Sequence, residues 1–145
     1  MRDTLFDFFA LCGGDMSVLY TDSSHLHHSK IFAINPMGKP RITHQGRFTD
    51  RAKKYYKYKE DLLIQRGSFV MPESNLYIIF YIPFPRSWNA KQKEQMYLKP
   101  HQQKPDLDNL VKALFDTFLT EDKKIWEFRA VKVWNYEGSI SIFWR

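Results

Sequence analysis

Apolar positions along the chain fall into separated runs, and the period of each run points to one kind of element. Ile31-Phe32-Ala33-Ile34 is a short apolar run that stops at Asn35-Pro36, which predicts a strand followed by a Pro- and Gly-bearing loop over 36–46. From Asp50 to Gln65 no Gly or Pro interrupts good helix formers. Thr49 or Asp50 can cap that helix, Gly67 can end it, and Leu62 and Leu63 are expected to face the core. Leu76-Tyr77-Ile78-Ile79-Phe80-Tyr81-Ile82 lies between Ser74-Asn75 and Pro83. It is too short for a helix and rich in strand formers, so it predicts a central strand.

Residues 83–105 carry four prolines with many Lys and Gln, which reads as a long surface excursion with one helical turn near Asn89–Gln95. Leu107, Leu110, Val111, Leu114 and Phe118 then recur on one face of a 3.6-residue period, predicting a helix over 107–119. Its other face shows Asp108, Lys112 and Asp116 at successive i,i+4 positions, one exposed stripe. Phe128–Trp134 and Ser139–Trp144 read as two strands, with Asn135-Tyr136-Glu137-Gly138 as a hairpin turn between them. The order strand, helix, strand, helix, strand, strand predicts an α+β domain with a sheet of about four strands and two main helices. Gly13-Gly14 and Thr21-Asp22-Ser23-Ser24 set residues 1–30 apart as an N-terminal extension or arm, leaving 31–145 as the domain.

With 145 residues the chain buries roughly 70% of its unfolded surface, enough for a core without disulfides. Mean hydropathy is -0.50 and no apolar run approaches the about 18 residues of a membrane helix, so a soluble protein is expected. Met1 to Phe9 is broken by Asp3 and Asp7, which argues against an export signal, and the single Cys12 fits a reducing cytoplasm.

Charge changes the picture through its distribution. Residues 36–104 hold 14 Lys and Arg against 5 Asp and Glu, a net of +9, whereas residues 105–126 hold 3 against 5, a net of -2. Lys39, Arg41, Arg47, Arg51, Lys53, Lys54, Lys57 and Lys59 belong to the basic block, with Tyr55, Tyr56 and Tyr58 among them. That mixture suits phosphates and exposed bases. The competing reading is a solvated basic face with tyrosines on the buried side of a helix.

Chemistry concentrates in Lys104-Pro105-Asp106-Leu107-Asp108-Asn109-Leu110-Val111-Lys112. If the chain is still extended there, side chains at i and i+2 point the same way, so Asp106 and Asp108 share a side. Mg²⁺ takes only one or two carboxylates plus waters and phosphate, and Glu121 or Asp122 offers a third acid. The competing explanation is capping and dipole pairing at a helix N-terminus. Capping accounts for one aspartate more readily than for two followed by a second acidic pair. His25-Leu26-His27-His28 lacks a further ligand at zinc spacing. No P-loop or nucleophile elbow is present, which argues against nucleotide-driven or acyl-transfer chemistry.

The stretch from Lys104 to Asp116, with Glu121-Asp122-Lys123-Lys124-Ile125 after it and the basic loop Pro36-Met37-Gly38-Lys39-Pro40-Arg41 before it, resembles the RusA family of Holliday-junction resolvases over roughly residues 31–145. The resemblance implies a compact homodimer, common in phages, whose subunits each cut one strand of a four-way DNA junction with Mg²⁺ or Mn²⁺. It places the metal-binding catalytic carboxylates at Asp106, Asp108 and Asp122 and the essential lysine at Lys112. Glu121 competes with Asp122 for the third acid, and Lys124 stands where relatives usually have Gln. The basic residues Lys39, Arg41, Arg47, Lys53, Lys54 and Lys57 are expected to hold the DNA arms. Two other functions fit the same residues: a non-catalytic branched-DNA-binding protein, and a nuclease for flaps or other branched DNA.

Overall fold

A strand covered on both faces must be apolar at consecutive positions, and the run at 76–83 meets that demand because it lies inside the sheet. The computed structural model describes residues 28–145. It contains β1 (His28–Phe32), α1 (Asp50–Gln65), β2 (Leu76–Pro83), α2 (Ala90–Met96), α3 (Leu107–Phe118), β3 (Phe128–Asn135) and β4 (Ser139–Trp144), with 3₁₀ turns at His44–Gly46 and Asp122–Lys124. The sheet order is β1-β4-β2-β3; β2 is parallel to β3 and antiparallel to β4, which is antiparallel to β1. Helices on a four-stranded mixed sheet make the α+β fold expected from the pattern of elements.

Both main helices belong to one core. Ala52, Tyr55, Tyr58 and Leu62 of α1, at spacings of three, three and four, are buried with Leu110, Val111 and Leu114 of α3 and with Phe32, Ile78, Phe80, Ile140 and Ile142 of the sheet. Burying one such large side chain contributes roughly 1.5–3 kcal/mol. Tyr77, Ile79 and Tyr81 alternate to the opposite side of β2, where Leu98 and Val133 join them. No helix of the described residues is long and apolar enough to cross a membrane.

Several sequence expectations hold at residue level. Thr49 caps α1, its hydroxyl accepting from Ala52 N, and Gly67 follows the helix with a φ of +57°, the left-handed conformation that a helix end favours. The turn expected near Asn89–Gln95 is the two-turn helix α2, opened by a capping box between Asn89 and Gln92.

Other expectations are corrected. Leu63 is 45% exposed, because the α1 stripe that meets the sheet runs through Tyr58 and Leu62. β1 starts at His28, and its Ile31 faces outward. Residues 1–27, with most of the histidine run and most of the expected arm 1–30, lie outside the described residues, and His28, Ser29 and Lys30 belong to β1. Asn135–Gly138 is not the turn of a paired hairpin, since β2 lies between β3 and β4 and the connection crosses its end. Phe84 N donates to Asn135 O there at 3.0 Å. Gly138 is packed so closely against Asn35 that an added Cβ would stand 2.7 Å from Asn35 Cα.

Candidate functional site

The acidic motif sits where the excursion after α2 returns to the sheet and starts α3. Segment 97–101 first runs beside β3: Leu98 N donates to Trp134 O, Trp134 N to Lys99 O, and His101 N to Lys132 O, each at 3.0 Å. The Lys132 ammonium then donates to the carbonyl oxygens of Gln103 at 2.5 Å and Pro105 at 2.7 Å. The Lys104–Pro105 peptide is cis. Asp106 is the N-cap of α3, yet its side chain makes no capping hydrogen bond. Its exposed carboxylate is therefore not consumed by the role that most simply explains an aspartate at this position.

Asp108 lies in the first helical turn rather than in extended chain, so the two carboxylates leave the backbone in different directions. Asp106 opens onto a cavity of about 460 Å³ whose other walls include Met37, Lys39, Arg51, Lys104 and Asn109. Asp108 opens onto a groove of about 610 Å³ shared with Lys112 and Asp122, floored by Val111, Phe115, Ile125 and Phe128. Lys112 Nζ is 3.3 Å from Asp108 Oδ2. Glu121 is engaged by Lys123 at 3.0 Å, whereas Asp122 lines the groove. The fold thus brings Asp108, Lys112 and Asp122 to one groove and sets Asp106 on the other flank of the same helix start. Among the described residues, no three His, Cys, Asp or Glu side chains form one compact metal-binding group. The donor chemistry suits a hard cation all the same: Asp108 and Asp122 provide two carboxylates on one groove, and Mg²⁺ needs no more than that when waters and a phosphate complete its shell.

The basic residues are distributed around this centre. Lys39 N donates to Asn109 O at 3.0 Å, tying the loop after β1 to the start of α3, and the Lys39 ammonium pairs with Asp116. Gln65 fixes the beginning of that loop, accepting from Ala33 N at 2.7 Å and donating to Ala33 O at 3.1 Å. Arg41 is exposed in the loop, and Arg47 lies beside His44 at 2.7 Å. Lys53, Lys54 and Lys57 are on the exposed side of α1, Lys57 paired with Asp61 at 3.0 Å. Tyr55 and Tyr58 belong to the core, leaving Tyr56 exposed. Arg51 and Lys104, left out of the expected DNA-holding set, line the Asp106 cavity.

Two pKa shifts mark the flank of the site. Burial pulls the Lys132 ammonium below its usual value while the Asp106 carboxylate opposes that shift. Burial also pushes the His101 imidazole down, helped by the charge of Lys132.

Residues 32–143, which are 112 of the 145, match the family model for endodeoxyribonuclease RusA. A search of curated proteins found no match. With the family model covering more than three quarters of its length, the chain belongs to the RusA family of Holliday-junction-resolving endodeoxyribonucleases.

Proposed function

We propose that this endonuclease resolves four-way DNA junctions in recombination and repair by Mg²⁺-dependent phosphodiester hydrolysis at the start of α3, with Mn²⁺ as an alternative ion. The observation that carries the reading is the groove shared by Asp108, Lys112 and Asp122, with Asp106 free of a capping bond one helical step away. The family generally uses divalent metals. Asp108 and Asp122 would hold the cation, with Asp106 completing the acidic set from the adjoining flank. When bound, such an ion supplies water activation near neutral pH and charge neutralisation at phosphorus.

The chain's own residues do the rest. Lys112 exchanges its contact with Asp108 for the non-bridging oxygens of the scissile phosphate and offsets the charge that grows as water oxygen bonds to phosphorus and the P–O bond breaks. Lys39, Arg41, Arg47, Lys53, Lys54 and Lys57 hold the DNA arms through phosphate contacts, which set register without reading sequence. Paired incision of opposite strands calls for two such centres, hence a homodimer acting on branched DNA. The test is a panel of four-way junction, flap and linear duplex incubated with the protein and Mg²⁺. The reading expects cleavage of the junction before the others and its abolition by a chelator; equal cleavage of a flap favours the broader branched-DNA nuclease.

A further inference from the structure

We infer that Lys132 is a positioning residue for the acidic site, a clamp that fixes the segment presenting Asp106. The inference rests on the role proposed for Asp106 above and adds a residue outside the acidic motif. Lys132 is on β3, opposite Phe80 in the sheet register, so it faces the helix side of the sheet together with Ala130 and Trp134. A lysine placed in that row needs replacement partners for lost water. It finds them in the carbonyl oxygens of Gln103 and Pro105, at 2.5 and 2.7 Å, while its own carbonyl accepts from His101 N at 3.0 Å. One residue therefore ties the segment 101–105 to the sheet by three hydrogen bonds.

The consequence falls on the next residue. Asp106 makes no side-chain capping bond, so the direction of its carboxylate depends on the backbone that delivers it and on the nearby charge of Lys132, which Lys132→Arg keeps. Releasing Gln103 and Pro105 leaves α3 anchored by its apolar face but lets its N-cap residue, Asp106, swing. Residues that orient metal ligands in this way typically contribute about 10- to 100-fold to metal affinity or activity.

The test compares wild type, Lys132→Met and Lys132→Arg in the full chain. Mn²⁺ binding to the free protein is followed by electron paramagnetic resonance, hydrogen exchange is measured over 101–108, and junction cleavage is measured against Mg²⁺. K132M is expected to weaken Mn²⁺ binding and lower kcat by about 10-fold or more, with KM for the junction nearly unchanged. Exchange should rise over 101–108 and not in α1, and K132R should recover most of the loss. Lys132→Gln, which cannot reach both carbonyls, is the second variant should K132M not fold. Unchanged Mn²⁺ affinity and unchanged exchange in the folded variant would overturn the clamp while the metal-nuclease reading stands. A wild type that binds no Mn²⁺ would overturn that reading and the inference with it.

Discussion

The ammonium of Lys39 is ion-paired with the carboxylate of Asp116, two turns along α3 from the acidic motif. A residue expected to grip DNA is therefore held by a carboxylate in the free protein. The same carboxylate, after burial itself, helps push the Tyr55 hydroxyl up to about 12. Replacing Asp116 by Asn releases Lys39 and removes a negative charge beside a residue proposed to hold DNA. Junction binding should tighten severalfold at low salt, and the slope of log K against log salt should steepen by up to about one phosphate contact. Anisotropy titrations across a salt series measure both; unchanged affinity and slope would show that Asp116 does not compete with phosphate for Lys39.

Glu121 and Asp122 are adjacent in sequence and differently engaged. Glu121 pairs with Lys123, and Asp122 lines the groove with Asp108. Asp122→Asn should reduce junction cleavage about 100-fold or more, whereas Glu121→Gln should stay within a few-fold of wild type. Rate measurements at saturating Mg²⁺ decide between them, and the reverse ranking would transfer the third acid to Glu121.

Gly138 has no room for a side chain. An added Cβ would lie 2.1 Å from Asn35 Oδ1 and 2.7 Å from Asn35 Cα, and backbone cannot step aside as a flexible side chain can. Gly138→Ala is expected to destabilise the fold by about 1–3 kcal/mol, seen as a lower midpoint in urea. A midpoint equal to wild type would mean that the connection from β3 to β4 relaxes freely.

His101 gives the stability a pH dependence of known sign. Its imidazole is held below the ordinary value by burial and then by Lys132, its ring lies 4.2 Å from that of Trp134, and its Nδ1 is buried without a hydrogen-bond partner. As pH falls below the unfolded value of about 6.5, the unfolded chain takes up a proton that the folded chain refuses. Stability from this group is therefore complete above about 6.5 and declines on acidification until the lower folded value is passed. Denaturant titrations from pH 8 to 5 should show a smaller loss for His101→Phe than for wild type; equal losses would assign the acid sensitivity elsewhere.

What was legible in the sequence depended on whether the signal was local. The bounds of α1 follow from Thr49, Gly67 and an uninterrupted run of helix formers, and α3 follows from its apolar period. The β3–β4 connection misled because Asn135–Gly138 specifies a reversal of direction but not which strand fills the space between. The expectation that Asp106 and Asp108 share a side fails because the i, i+2 rule holds only in extended chain, and the helix begins between them. Lys132 leaves only a weak signal in the sequence: one lysine between Ala130 and Trp134 on an otherwise apolar alternation. Its partners are main-chain carbonyls 27 and 29 residues away, which no spacing rule reaches.

The central claim is that the carboxylates at the start of α3 cut DNA rather than merely shape a binding surface. The most direct measurement is cleavage of a synthetic four-way junction in Mg²⁺ by wild type and by Asp108→Asn, with junction affinity measured in parallel. The account predicts paired incisions by wild type and a loss of about 100-fold or more in the variant, with binding equal or tighter because a negative charge facing phosphate is gone. Equal cleavage by both proteins, or a variant that loses binding in step with cleavage, would contradict it.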